Sequence, residues 1–283
     1  MAITTTDRYA VFGHPISHSK SPRIHGLFAE QTRQPIHYAA QDVTAEAFQA
    51  AADAFFANGG KGLNCTVPLK ELAWQYAGRL SERARKSKAV NTLARQADGG
   101  ILGDNTDGIG LVNDLTLNHD ITLPNSRILI LGAGGAARGI LGPLLEHRPA
   151  CIAIANRTPD KAETIAAEFA DPDLSCSDYA GLASRQFDLI INATSASLSG
   201  ELPPLPNDLL AENGCCYDLA YGNRPTAFVQ WGLARQARQS LDGLGMLVEQ
   251  AAEAFALWRG IRPDTAPVID LLNRERKALN LSG

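Results

Sequence analysis

No apolar run in this chain approaches the roughly 20 residues that a membrane-spanning helix needs, and the opening Met1-Ala-Ile-Thr-Thr-Thr-Asp-Arg8 has no basic stretch leading into an apolar core. Neither a membrane span nor a secretory leader is expected, and the expected compartment is the cytoplasm. The five cysteines, Cys65, Cys151, Cys176, Cys215 and Cys216, include no C-x-x-C pair and no histidine cluster at metal-ligand spacing. Neither a zinc site nor a disulfide framework is therefore expected, and the cysteines read as buried, reduced thiols. Basic residues are few and scattered: 26 Lys and Arg against 30 Asp and Glu give a net charge of −4 without a basic stripe. That argues against nucleic acid or an anionic membrane as the main partner. There is no internal repeat and no low-complexity tract. What remains, 283 residues at 45% hydrophobic and 20% charged, is the composition of a soluble globular enzyme of about two domains.

The most informative segment present is Arg127-Ile-Leu-Ile-Leu131 followed by Gly132-Ala133-Gly134-Gly135-Ala136-Ala137. It reads as a buried strand breaking into a glycine-rich turn that opens a helix. Its pattern is G-x-G-x-x-A: Gly132 for the tight turn, Gly134 for close approach of a pyrophosphate, Ala137 for helix-to-strand packing. The free N–H groups of the helix N-terminus would face the phosphates. After the next strand, Cys151 to Ala155, an NAD-preferring site would place an acid on the ribose hydroxyls. Asn156-Arg157-Thr158 stands there instead, with Lys161 close behind. A guanidinium suits a 2′-phosphate, which favours NADP over NAD.

From residue 127 onward, strands at 127–131, 151–155, 188–191 and 215–219 alternate with helices at about 135–147 and 159–169, a doubly wound Rossmann-type half. Residues 1 to about 105 alternate as well. Strands are expected at 9–12, 36–40 and 62–67, with helices from Pro22, over 44–57 and from Leu69. That half lacks a glycine phosphate loop and is better placed to hold substrate. The expected class is α/β with two domains: 1–105 completed by C-terminal helices within 244–283, and a nucleotide-binding domain at 106–243. The chain would cross on a helix beginning near Thr106 and on another over 244–258, leaving a cleft between domains. The last helix, 266–279, would pack back on the first domain, and Leu198 to Pro206, with three prolines, would form a surface loop.

Four polar loops lie at expected strand ends. In Ser19-Lys20-Ser21-Pro22 the serines either bind a ligand or, for Ser21, simply cap a helix. In Asn64-Cys65-Thr66-Val67-Pro68-Leu69-Lys70, strand alternation puts Asn64 and Thr66 on one face. Lys70 falls in the first turn of a helix, where its charge opposes the dipole and needs another reason. Cys65 is either a reactive thiol beside them or an apolar filler facing the core. The third and fourth are Val90-Asn91-Thr92 and Gly103-Asp-Asn-Thr-Asp107-Gly108, in which Asp107 also suits a plain first-turn acid after a Thr106 cap.

These motifs, together with Asn192-Ala-Thr-Ser195 and Asp242-Gly-Leu-Gly-Met-Leu-Val-Glu-Gln250, resemble the shikimate dehydrogenase family over essentially the whole length. The resemblance implies NADP-dependent, reversible reduction of 3-dehydroshikimate to shikimate, in the pathway to the aromatic amino acids. It implies that Ser19 and Ser21 bind the substrate carboxylate, that Asn64, Thr66, Asn91, Asp107 and Gln250 bond the ring hydroxyls, and that Tyr221 closes the carboxylate end. On the cofactor side it implies Gly132 to Ala136, Asn156, Arg157, Thr158, Lys161, Thr194, Leu219, Gly243 and, at the nicotinamide edge, Glu82. No metal is implied, and the family includes monomers and homodimers.

Chemistry agrees with Lys70 and Asp107 as the catalytic pair. A hydride arriving on a ketone carbon makes an alkoxide, and a cation beside that oxygen lowers the barrier. A free lysine titrates near 10.4; Asp107 would raise that and desolvation lower it, so Lys70 is either the proton donor or an electrostatic and orienting group. The chain departs from the family at His14 for Asn, Cys65 for Val and Ala227 for Pro, none of which removes an assigned group. Three other readings stay open: a quinate/shikimate enzyme with NAD use, a non-catalytic NADP-binding regulator, and a dehydrogenase for another cyclic polyol acid.

Overall fold

The structure, a computed structural model, describes residues 6–194, 196 and 200–281. The chain forms two compact units. The first runs up to Gly110 and takes in Val248–Val268; the second takes Leu111–Leu247 and the chain from Ile269 onward.

In chain order the first unit holds β1 (Asp7–Gly13), α1 (Ser21–Thr32), β2 (Ile36–Asp42), α2 (Phe48–Ala57), β3 (Gly60–Cys65), α3 (Lys70–Tyr76), β4 (Arg79–Leu80), α4 (Glu82–Ser87), β5 (Thr92–Arg95), β6 (Ile101–Asp104) and the start of α5 (Asp107–Asn113). Its sheet has the order β2-β1-β3-β5-β6-β4, with β1 parallel to both neighbours and β5 antiparallel to both of its own. Tyr9 to Phe12 are all buried, the continuous apolar run expected of a parallel strand covered on both faces. One core joins Phe12, Phe48, Phe55, Leu63, Leu69 and Leu93. It fixes where β1 and β3 end, and so where the loops after them emerge.

The second unit continues with β7 (Arg127–Leu131), α6 (Gly135–Glu146), β8 (Cys151–Ala155), α7 (Pro159–Phe169), β9 (Leu174–Ser177), β10 (Phe187–Asn192), β11 (Leu210–Asp218), α8 (Ala227–Ala234) and β12 (Gln239–Asp242). The helices α9 (Leu244–Arg259) and α10 (Ala266–Leu281) complete the chain. All pairings in this sheet are parallel and the order is β9-β8-β7-β10-β11-β12. That is the 3-2-1-4-5-6 order of a Rossmann sheet, whose ligands bind outside the carboxyl ends of the strands where the winding reverses, here between β7 and β10. Ile128 to Leu131 and Ile152 to Ala155 are fully buried between helix layers.

Most expected elements stand where the residue pattern puts them, with several differences. The second helix begins at Phe48 rather than 44, because residues 45–47 form a turn. The residue pattern does not announce the β5–β6 hairpin, the short β4 and α4, or β9, α8 and β12. β11 starts at Leu210, five residues earlier than expected. The chain changes unit inside α5 and α9, at 110/111 and 247/248, rather than at 105/106 and 243/244. The last helix is expected with the first domain, but from Ile269 it belongs to the second unit, where Arg276 donates to Asp242 at 2.5 Å. Of the expected 198–206 loop, residues 201–206 lack regular structure, and Leu198 and Ser199 lie outside the described residues, as does Ser195 of the Asn-Ala-Thr-Ser motif.

Candidate functional site

In the first unit β3 delivers Asn64 at its end and hands the chain through Thr66 to Lys70, the first residue of α3. Lys70 Nζ donates to Asp107 Oδ2 at 2.6 Å, with the two side chains 26% and 14% exposed. Asp107 opens α5, where a carboxylate complements the dipole, and its N–H is held by Asn105 Oδ1 at 3.1 Å. Its other oxygen accepts Asn91 Nδ2 at 2.8 Å. Asn91 Nδ2 also faces Thr106 Oγ1 at 2.9 Å and Gln250 Oε1 at 3.3 Å, while its Oδ1 accepts the Thr106 N–H and the Thr92 hydroxyl, both at 2.9 Å. With only two amide hydrogens, this buried carboxamide is wholly occupied by protein. Gly110 lets Gln250 approach: a Cβ there would stand 2.7 Å from the Gln250 backbone nitrogen.

Asn64 extends the same network. Its Nδ2 donates to the Asn91 carbonyl and to Thr92 Oγ1, both at 3.0 Å, and its Oδ1 accepts the Tyr38 hydroxyl at 2.7 Å. Ser21 lies against that phenol too; burial holds the Tyr38 pKa well above its ordinary value, with Ser21 acting in the opposite direction. Ser19 Oγ accepts the Ser21 N–H at 3.3 Å. Ser21 is not a cap, since Lys20 occupies that position without a side-chain bond and Ser21 is already helical. Thr66 is pinned by its backbone, its N–H donating to the Phe12 carbonyl at 2.9 Å. Cys65 points the other way, into the core at 2% exposure, and burial pushes its thiol up against the opposing charge of Lys70. It is the filler, not the reactive group. Glu82 stands apart from the network, on an exposed turn of α4, paired with Lys86 at 2.9 Å.

In the second unit Gly132 adopts φ +101°, a conformation that favours glycine, and a Cβ on it would stand 3.0 Å from Thr194 Cγ2. Beyond Ala133, Gly134 caps α6 without a side-chain bond, leaving the first-turn N–H groups of Gly135 and Ala136 without intrahelical acceptors. A Cβ on Gly134 or Gly135 would meet no atom within 4 Å. The loop is thus an open cradle lined by N–H groups at a helix N-terminus, which fits a pyrophosphate. Ala137, 1% exposed, packs into the core as its position in the fingerprint requires. After β8, Asn156 Nδ2 donates to the Thr158 carbonyl at 2.8 Å and shapes the turn, while Arg157, Thr158 and Lys161 are exposed.

Thr194, Leu219 and Gly243 gather around Asn192. Thr194 Oγ1 donates to Asn192 Oδ1 at 2.7 Å, the Leu219 N–H donates to the Asn192 carbonyl at 2.9 Å, and a Cβ on Gly243 would stand 2.3 Å from the Leu219 oxygen. Beneath them lies a residue that no motif in the sequence marks. Asp218, fully buried at the end of β11, accepts Asn192 Nδ2 and the Ala220 N–H, each at 3.1 Å, and Thr226 Oγ1 at 2.6 Å. It fixes both ends of the loop that carries Tyr221, whose phenol pKa is raised by burial and by the charge of Asp242. The signal available was an acid closing an apolar strand. Among the described residues no group of three or more His, Cys, Asp or Glu is arranged to hold a metal, and no helix is long and apolar enough to cross a membrane.

The chain matches three family models: the shikimate dehydrogenase substrate binding domain over residues 11–93, shikimate / quinate 5-dehydrogenase over 116–199, and the shikimate 5′-dehydrogenase C-terminal domain over 243–272. A shikimate dehydrogenase (NADP+) of Methylococcus capsulatus is 61% identical over 277 residues, 97% of this chain and 99% of that one. Among solved structures, an Ael1 enzyme from Pseudomonas putida superposes with a TM-score of 0.90 at 48% identity, covering 94% of this chain and 98% of that one. Shikimate 5-dehydrogenase from Thermus thermophilus, in complex with NADP(H) and shikimate, gives 0.85 at 33% identity, covering 96% and 100%. The chain belongs to the shikimate dehydrogenase family.

Proposed function

We propose that this chain reduces 3-dehydroshikimate to shikimate, and catalyses the reverse reaction, as an NADP-dependent oxidoreductase serving aromatic amino acid synthesis. The observation that carries the site reading is the Lys70–Asp107 pair, partly buried and locked by Asn91 into a network that includes Asn64 and Gln250. An ammonium has three hydrogens. One is spent on Asp107, and the others remain for a substrate oxygen.

Ser19 and Ser21 hold the substrate carboxylate, with Tyr221 closing that end. Asn64, Thr66, Asp107 and Gln250 take the ring hydroxyls. Asn91, its amide hydrogens already committed, orients Asp107 and Gln250. The N–H groups of Gly134, Gly135 and Ala136 hold the pyrophosphate, with Gly132 and Ala133 shaping the turn. Arg157, Asn156, Thr158 and Lys161 receive the 2′-phosphate, and Thr194, Leu219 and Gly243 line the nicotinamide end. Glu82, ion-paired on its own helix, is left out. The bound nicotinamide supplies or accepts the hydride. Lys70 stabilises the negative charge that grows on the carbonyl oxygen and passes it a proton, while Asp107 keeps the ammonium pointed at that oxygen. The protein acts in the cytoplasm, as monomer or homodimer, and its five unpaired cysteines support a reducing compartment.

The test is the reduction of NADP by shikimate with purified protein, run beside NAD and quinate. Turnover dominated by shikimate with NADP supports the reading; binding of NADP without turnover of either acid would leave a regulator in its place.

A further inference from the structure

His25 is fully buried in α1; among the described residues neither ring nitrogen makes a hydrogen bond of good geometry, and the polar side chain that acts on the ring is Asn64. Burial lowers its pKa to about 3, so the ring is neutral. It lies flat on Tyr38, ring centroids 4.1 Å apart and planes within 9°, and is backed by Phe28, Phe255 and Trp258. A neutral aromatic wall therefore fixes the plane of the Tyr38 ring. Its hydroxyl, protonated at any working pH, acts as the donor toward Asn64 Oδ1. Both Asn64 amide hydrogens are already taken, one by the Asn91 carbonyl, which can only accept. The other goes to Thr92 Oγ1, whose own hydrogen goes to Asn91 Oδ1. The carboxamide orientation is thus determined by its partners: both amide hydrogens are spent, so any further contact, from the His25 side or from a ligand, has to be accepted by Oδ1.

We propose that Tyr38 is a positioning residue which, braced by His25, fixes Asn64 as an acceptor-only group, so that the site requires a hydroxyl donor from the substrate at that point. The proposal rests on the reading above that Asn64 touches the substrate, and it adds the polarity of that contact and the residue that sets it. Tyr38 need not touch the substrate.

Steady-state kinetics of Tyr38→Phe, Asn64→Ala and the double variant test it. Losing one hydrogen bond that aligns a ligand contact is worth about five- to tenfold. Tyr38→Phe should raise KM for the hydroxy acid by that factor with kcat and the KM for NADP little changed, a split that general loosening would not give. In the Asn64→Ala background Tyr38→Phe should add clearly less than it does alone, because the group it positions is gone and only its contact with Ser21 remains. Multiplying effects in the double variant, or an unchanged KM in Tyr38→Phe beside a raised one in Asn64→Ala, overturn the proposal. An unchanged KM in Asn64→Ala overturns the assignment of Asn64 itself. The side-chain amide resonances of Asn64 in the ligand-free protein supply a readout independent of turnover: they should move in Tyr38→Phe, and unmoved resonances contradict the proposal.

Discussion

Two glycines near helix starts make opposite predictions from one chemical change, a single added methyl. A Cβ on Gly245 would stand 2.0 Å from Asp114 Oδ1. Asp114 cannot retreat: it is fully buried, accepts the Tyr217 hydroxyl at 2.6 Å and Asn118 Nδ2 at 2.9 Å, and lies where α5 passes into a π-helical turn. Overpacking costs about 1–3 kcal/mol, and disrupting a hydrogen bond to a buried charge adds about 1.5–3 kcal/mol. Gly245→Ala should therefore lose roughly 3–5 kcal/mol. At about 2–4 °C per kcal/mol for a unit of this size, Tm falls by at least about 6 °C. Gly134 has φ −98° and ψ −171°, which alanine adopts freely, and open space around its Cβ position. Gly134→Ala should leave Tm within about 2 °C, or raise it slightly by restricting the unfolded chain. Its methyl would stand where a pyrophosphate must approach. Loss of one charge-assisted N–H bond, about 1.5–3 kcal/mol, weakens NADP binding by about 10- to 100-fold. Thermal melts and NADP titration of both variants decide the matter. A Gly134→Ala protein that melts early yet binds NADP normally would refute the cradle, and an unshifted Tm in Gly245→Ala would refute the packing argument.

Arg157→Ala should raise KM for NADP by about 10- to 100-fold, the value of a charge-assisted phosphate contact, and leave any turnover with NAD unchanged; equal changes for both cofactors would show that Arg157 does not read the 2′-phosphate. His25 makes stability pH-dependent. Its folded pKa of about 3 lies below the ordinary 6.5, so the unfolded chain takes up a proton first and stability is lost as pH falls from 6.5 towards 3. The loss from this group is about 2 kcal/mol at pH 5, and urea unfolding at pH 8 and pH 5 should show a drop smaller by that amount in His25→Phe; identical drops would contradict the burial argument. Cys65, in the core with its pKa raised, should resist iodoacetamide in the folded protein and react on denaturation, as read by mass spectrometry. Rapid labelling of the native state would mean the thiol reaches the site after all.

The parts legible in the sequence were those governed by local pattern. Buried parallel strands announce themselves as apolar runs, and the turn after β7 demands glycine at φ +101° whatever the rest of the chain does. Lys70 drew notice by offending the dipole of its own helix, and the structure supplies the reason in Asp107. Tyr38 left no such mark. It meets Asn64 only because β1 lies between β2 and β3 in the sheet, a non-consecutive order that residue spacing does not encode. The motif marks Asn91 as a ligand group, whereas its satisfied amide shows up only when Thr106, Asp107 and Gln250 are placed around it. The β5–β6 hairpin was missed because its strands are four residues each, too short for alternation to show. For α10 the pattern revealed a helix but not which core its apolar face would join.

The most direct test of the central claim is the shikimate-dependent reduction of NADP by wild type and Lys70→Ala. If Lys70 stabilises charge that exists only during hydride transfer, kcat and kcat/KM fall together, by about 100-fold or more, with little change in KM for shikimate. A Lys70→Ala enzyme that keeps its kcat and loses only affinity would make Lys70 a binding group and contradict the mechanism.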